Sequence, residues 1–252
     1  MPDHLALSIA IDLVLGVLLG AVGGLLGIGG GLIAIPMLAI CYGMDQHLAQ
    51  GTALVMITPN VLIGFVRYRQ RNPIDLRSTA WLCAAAIATT ALAAQWTVRV
   101  SGAQLRMGFA LFLIVLAAYF MWQLRTRDAA AATAVPRRFL PLVGVLSGGM
   151  SGLFSVGGGL VAVPALVSLF GMTQTQAQGV ALALVIPGSL VALFTSADAG
   201  QVSWTVGIPL AVGGLVSVSW GVALAHRFSP ARLRLTFCAV LAATALVMLF
   251  QT

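Results

Sequence analysis

Apolar residues in this chain do not alternate with polar ones. They run in blocks, separated by short clusters of Gly, Pro, Asp, Asn and Arg. Ten blocks can be cut, at roughly 5–28, 31–43, 48–66, 79–97 and 104–124, then 139–156, 159–171, 176–195, 204–225 and 233–250. About 18 or more apolar residues suffice to cross roughly 30 Å of hydrocarbon as a helix, and no stretch alternates in the manner of an outer-membrane strand. The pattern predicts an all-α polytopic membrane protein. Blocks 31–43 and 159–171 are too short to cross, since a dozen residues of helix cover only about 18 Å. Joined to the block before it, each would make a rod of about 50 Å or more, too long for one crossing. Each pair is therefore expected to fold back as a broken-helix hairpin.

The blocks come in two matching sets. Gly16 to Pro59 aligns without a gap on Gly144 to Pro187, at an offset of 128 residues and with about half the positions identical. The identities include Gly29-Gly30-Gly31 against Gly157-Gly158-Gly159, Pro36 against Pro164, and Pro59 against Pro187. The offset persists where Arg99-Val100-Ser101 matches Arg227-Phe228-Ser229 and Leu105-Arg106 matches Leu233-Arg234. Duplication of an apolar unit is a mark of transporter architecture. Residues 1–128 and 129–252 are read as two membrane repeats of one transmembrane domain, each a hairpin plus three spanning helices.

Composition sharpens this picture. With 60% hydrophobic and 8% charged residues and a mean hydropathy of +1.03, the chain cannot cover a soluble surface. The net charge of +7 comes from arginines lying mainly between blocks, with no lysine. Such a pattern reports membrane orientation and argues against nucleic acid as a partner. If the halves are inverted, eleven arginines (67, 69, 71, 77, 125, 127, 137, 138, 227, 232, 234) fall on the cytoplasmic side and only Arg99 and Arg106 outside. A parallel arrangement divides them eight to five. Inverted repeats with both termini outside are expected, and labelling that placed loops 67–77 and 196–204 on one face would contradict it. The polar, Ala-rich stretch 125–138 reads as the linker between halves. Trp81, Trp96, Tyr119, Trp122 and Trp204 lie toward block ends, as interfacial anchors do. Met-Pro-Asp-His at the start lacks the basic region of a secretory signal, so no cleaved leader is expected. The setting is the cytoplasmic (inner) membrane, multi-pass.

Candidate chemistry concentrates at the glycine triplets. Gly16, Gly20 and Gly24, and likewise Gly144, Gly148 and Gly152, make a smooth helix face for close packing. Gly29, Gly30 and Gly31, with Gly157, Gly158 and Gly159, are expected to break the helix at membrane depth, with Pro36 and Pro164 marking the break. The freed backbone groups must be buried in protein or line a cavity, and a restarting helix turns the positive end of its dipole toward an anion. Gln50 and Gln178, at the openings of the third block of each half, offer neutral donors for an oxyanion, flanked by Gly51, Thr52 and Gly179. Gln46, Gln174, His47 and His226 read as solvated. Asp12, the one acid inside a block, is a candidate for coupling to H+ or Na+. Cys41, Cys83 and Cys238 have no metal-ligand spacing, so neither a metal nor a cofactor is expected.

These residues resemble the TauE/SafE family of sulfite and organosulfonate exporters. The likeness lies in Gly20 to Pro36 followed by Ala49-Gln50-Gly51-Thr52-Ala53-Leu54, and again in Gly148 to Pro164 followed by Ala177-Gln178-Gly179-Val180-Ala181-Leu182. The family pattern usually has Ser at Ala53 and Ala181 and Thr at Val180. The resemblance implies a secondary transporter exporting sulfite, an organosulfonate or a related small anion. A passive anion channel is an alternative, since paired broken helices also build pores. An intramembrane serine hydrolase is another, because Gly149-Met150-Ser151-Gly152 matches a G-x-S-G nucleophile motif, although no base is placed for Ser151. The oligomeric state is left open.

Overall fold

The computed structural model describes residues 2–125, 135–155 and 158–249, and among these there is no strand. The first half forms α1 (Pro2–Leu26), α2 (Gly31–Tyr42), α3 (Gln46–Arg71), α4 (Leu76–Thr97) and α5 (Gly102–Arg125). After a 3₁₀ turn at Arg137–Phe139, the second half forms α6 (Leu140–Phe154), α7 (Gly159–Phe170), α8 (Gln174–Asp198), α9 (Trp204–Ala225) and α10 (Pro230–Leu249). Seven helices, α1, α3, α4, α5, α8, α9 and α10, are long and apolar enough to cross a membrane. Helices α2, α6 and α7 are shorter apolar pieces. In hydrocarbon only such helices satisfy every backbone N–H and C=O internally. Most of the expected linker, residues 126–134, and Gly157 of the second triplet lie outside the described residues.

Both hairpins form. The Tyr42 hydroxyl at the end of α2 donates to the Asp12 carboxylate in α1, 30 residues earlier, so α2 runs back along α1. In the second half Val135 N–H, ahead of α6, donates to Leu169 O near the end of α7 at 3.0 Å. The prolines expected to mark the breaks do not: Pro36 and Pro164 each sit as the sixth residue of a continuous helix, α2 and α7. The chain turns earlier, at Gly27–Gly30 and from Ser155, where the backbone is left-handed.

Glycine rows set the helix pairing. A Cβ on Gly16, Gly20 or Gly24 of α1 would overlap Leu210, Gly214 or Val218 of α9 in turn. A Cβ on Gly144, Gly148 or Gly152 of α6 would overlap Leu82, Ala86 or Thr90 of α4. In both pairs the register advances together, so α1 is parallel to α9 and α6 to α4. Each contact in one pair is the other shifted by the repeat offset. Close approach of backbones through small residues is how membrane helices gain packing energy without a hydrophobic drive.

Helices α3 and α8, which correspond to one another in the two halves, cross the centre antiparallel. Tyr68 and Asn72 near the end of α3 meet Gln178 and Thr175 at the start of α8, whereas Gly51 near the start of α3 packs on Ser196 and Gln201 at the end of α8. Around this pair Leu26, Ile28, Leu32, Ile35, Leu54, Met56 and Ile57 are fully buried. The outer faces carry Leu18, Leu92, Leu111, Phe194 and Trp220, exposed in the isolated chain as side chains that meet lipid would be. Trp81, Trp96 and Trp204 are likewise exposed.

Candidate functional site

The first break is closed by side chains from the other half. Gly27, Gly29 and Gly30 take φ of 69°, 74° and 93°, a region nearly free of cost only for glycine. Ending α1 there strips its last carbonyls of helical partners. Gln178 replaces them, its Nε2 donating to Leu25 O at 3.3 Å and Leu26 O at 3.1 Å. Tyr68 lies with its hydroxyl 3.0 Å from both Gly24 O and Gln178 Oε1, so its single proton serves one acceptor at a time. Beyond it Asn72 Nδ2 donates to Tyr68 O and to His226 Nε2, and Asn72 Oδ1 accepts from Thr175. His226 Nδ1 is bonded to Val222 O, which fixes the tautomer with the proton on Nδ1. This end of the molecule is knit shut.

The second break is the counterpart, built differently. Ser155 occupies the position that Gly27 holds in the first half and shares its left-handed backbone, φ 55°. Gly158 does not repeat Gly30, having φ −54°. The two breaks adjoin, because a Cβ on Gly159 would lie 3.4 Å from Gly27 O. By the repeat, Gln50 should serve α6 as Gln178 serves α1. It does not: Gln50 is 2% exposed and its Nε2 has no hydrogen-bond partner. Where the first site has the Tyr68 ring, the second has Ser196. The missing bulk leaves a polar cavity bounded by Gln50, Ser155, Thr97, Thr195, Ser196 and His47. Its free volume of about 10 Å³ is the room of a single water.

Polarity in this cavity is neutral, made of amide, hydroxyl and imidazole groups, and the Gln50 amide is its unspent N–H donor. No carboxylate lines it. Thr97 and Thr195 have given their protons to Ala93 O and Val191 O, at 2.8 and 2.9 Å, leaving lone pairs toward the space. His47 Nε2 donates to Val100 O at 2.9 Å, tying α3 to the loop after α4. The Gln50 amide is thus a buried donor with nothing to bind, a condition that costs about 1–3 kcal/mol unless a ligand or water relieves it.

The other expected site residues fall around this framework. Gly29 is walled by Val61 and Ile57, and Gly30 by Leu19 and Met56, so the first triplet opens no space of its own; Gly31 begins α2. Gly51 and Thr52 hold the loop before α9, Thr52 Oγ1 accepting from Ser203 N–H at 3.0 Å. Gly179 makes room for Ile74. Asp12, 2% exposed, is bonded to Tyr42, and neither has a like residue at the matching position of the second half, where Leu140 and Phe170 stand. Gln46 and Gln174 are not solvated: each is 5% exposed, because the turns before α3 and α8 pack inward, and both amide atoms of Gln46 are unpaired. His47 and His226 are half-buried and hydrogen-bonded rather than solvated, held by their bonds to loop and helix carbonyls. Ser151 is buried with its Oγ unpaired and no histidine on it, His226 being engaged with Asn72 and Val222. Sequence reasoning did not single out Tyr68, Ser155 or Ser196. Of the three, only Ser155 was legible as a mismatch, standing against Gly27 inside the matching segments; Tyr68 and Ser196 lie beyond Pro59 and Pro187, where the two halves no longer resemble each other.

Seven helices long and apolar enough to cross a membrane, two hairpins broken at left-handed turns and a small buried polar cavity between the halves point to a multi-pass membrane transporter. The model of the sulfite exporter TauE/SafE family matches residues 13–248, and the chain belongs to that family. It is 28% identical over 232 residues to a "Probable membrane transporter protein" of Xylella fastidiosa, covering 89% of this chain and 88% of that one. Proteins of the same description in Methanocaldococcus jannaschii and Bacillus subtilis are each 26% identical, covering 94% and 93% of this chain and 94% and 97% of their own lengths. No solved structure matches the chain.

Proposed function

We propose that this protein exports a small sulfur oxyanion, such as sulfite or an organosulfonate, as a secondary transporter working by alternating access. The observation that carries the reading is the buried, unpaired Gln50 amide in a cavity without carboxylates beside a helix break. Neutral N–H and O–H donors bind an anion without the cost of burying a compensating charge. The family to which the chain belongs supplies the sulfur oxyanion.

The two halves, 1–128 and 129–252, act as inverted repeats, a reading supported by the antiparallel crossing of the matching helices α3 and α8. Their two sites then open to opposite faces. In this conformation the site at Gln178 is filled by Tyr68, and the one at Gln50 is an occluded cavity. Exchange of the two arrangements would carry an anion from one side to the other. What favours a carrier over a passive pore is that occlusion: a space of about 10 Å³ is not an open path. The glycine triplets act as hinges of the two hairpins.

Asp12 is the candidate for coupling to H+ or Na+. Its bond to Tyr42 would report its charge to the open end of the first hairpin, where α2 leads into α3. The test is flux in proteoliposomes of sulfite, sulfate, sulfoacetate and acetate, with and without a pH gradient. Saturable flux selective for sulfite or sulfoacetate is expected, stimulated by the gradient in wild type and not in Asp12→Asn. Equal, non-saturating flux of all four anions would overturn the reading. A gradient response kept by Asp12→Asn would remove the coupling role alone.

A further inference from the structure

Among the described residues, Asn60 and Gln46 are the two buried side-chain amides with both polar atoms unpaired, and Asn60 is the deeper. It lies in the middle of α3, on the residue after Pro59, with 0% of its surface exposed. Neither its Nδ2 nor its Oδ1 has a hydrogen-bond partner. A primary amide offers two donors and an acceptor with two lone pairs, and leaving all of them unmet in a buried site is costly. At membrane depth such a group marks function by default, because an apolar residue of the same size would pack without that cost.

Its surroundings say which function. The amide lies in the space that a side chain on Gly214 of α9 would need, and a Cβ there would collide with it. That glycine belongs to the row along which α1 packs against α9, and Ser217 Oγ lies one turn further along. On α3 itself, Met56, Ile57 and Val61, within a turn of Asn60, are the residues that wall Gly29 and Gly30. Asn60 thus shares a turn of helix with the wall of the first break, where α2 presents its first N–H groups and the positive end of its dipole. The second half repeats the polarity with other atoms. Gly188 stands at the position of Asn60, and a Cβ on it would meet Ser151 Oγ at 3.1 Å and Thr90 Oγ1 at 3.3 Å. Ser151 Oγ, like the amide of Asn60, is unpaired. Each half therefore keeps an unmet polar group at the same depth.

We infer that Asn60 is a further substrate-contacting residue, one that donates its amide N–H groups to the oxyanion at the centre of the membrane when α9, whose Gly214 packs on the amide, parts from α3. The inference rests on the transport reading above and adds to it a central station beyond the Gln50 cavity.

The experiment uses the full chain in proteoliposomes, with sulfite as the probe, and compares wild type with Asn60→Ala and Asn60→Leu. Loss of a hydrogen bond to a charged group predicts a fall in sulfite flux of about tenfold or more, seen chiefly as a rise in KM. Thermal stability in detergent should stay level or rise, because the unmet amide is gone. Wild-type flux in Asn60→Ala would overturn the inference. So would a fall in melting temperature with flux reduced only in proportion to the folded protein, because it would show that Asn60 has a structural partner. If wild type moves none of the anions in saturable fashion, the transport reading fails and this inference with it; wild-type transport with an indifferent Asn60→Ala removes the station alone.

Discussion

The two conserved-by-duplication glutamines of this chain have separate fates, decided by one neighbour each. Gln178 has Tyr68 beside it and spends its amide on Leu25 O, Leu26 O and the Tyr68 hydroxyl. Gln50 has Ser196 at the matching position, and its Nε2 is left unpaired. The two should respond oppositely to mutation. Tyr68→Phe leaves Gln178 Oε1 without its donor and should destabilise the fold by about 1 kcal/mol, the usual scale of an interhelical hydrogen bond in a membrane protein. Gln50→Ala removes an unsatisfied donor, so it should leave thermal stability level while lowering anion flux. Melting curves in detergent alongside liposome flux check both. A large loss of stability in Gln50→Ala would mean that the amide is structural after all.

Helix boundaries were legible in the apolar blocks to within a few residues, because in hydrocarbon a helix is the only way to satisfy a single crossing segment. The end of α3 was less so. Apolar residues stop at Val66, yet the helix continues to Arg71. Its buried stripe runs on through Ile57, Val61, Gly64 and Tyr68 at helical spacing, while Arg67, Arg69 and Gln70 face outward. The glycine breaks were visible as triplets, but Pro36 and Pro164 misdirected their exact placement: each lies inside a short helix that gives up one ladder bond there without ending. What no pattern of types could show is the packing of a glycine row. At Gly20 a Cβ would lie 2.5 Å from Gly214 Cα, whereas at Gly149 it would meet nothing within 4 Å. Gly20→Ala should therefore force α1 off α9 and lower stability by about 1–3 kcal/mol. Gly149→Ala, in a helix with room to spare, should be neutral or stabilising by about 0.5–1 kcal/mol. Thermal melts of the pair give the comparison directly.

At the scale of the molecule, the duplication explains why the site lies where it does. Parallel pairs α1–α9 and α6–α4 brace the two broken hairpins, and the antiparallel pair α3–α8 runs between them, so each half lends a glutamine to the other's break. The sequence carried the duplication, the breaks and both glutamines; it did not carry which of the two sites keeps a cavity, because that turns on the tyrosine and serine at one matched position. A protein built this way should exchange its substrate across the membrane rather than leak it. Counterflow tests that claim most directly. Liposomes preloaded with unlabelled sulfite and diluted into a trace of radiolabelled sulfite should accumulate the label transiently above its outside concentration, and Gln50→Ala should abolish the overshoot. Label that only equilibrates, with no overshoot in wild type, would contradict alternating access and leave a pore.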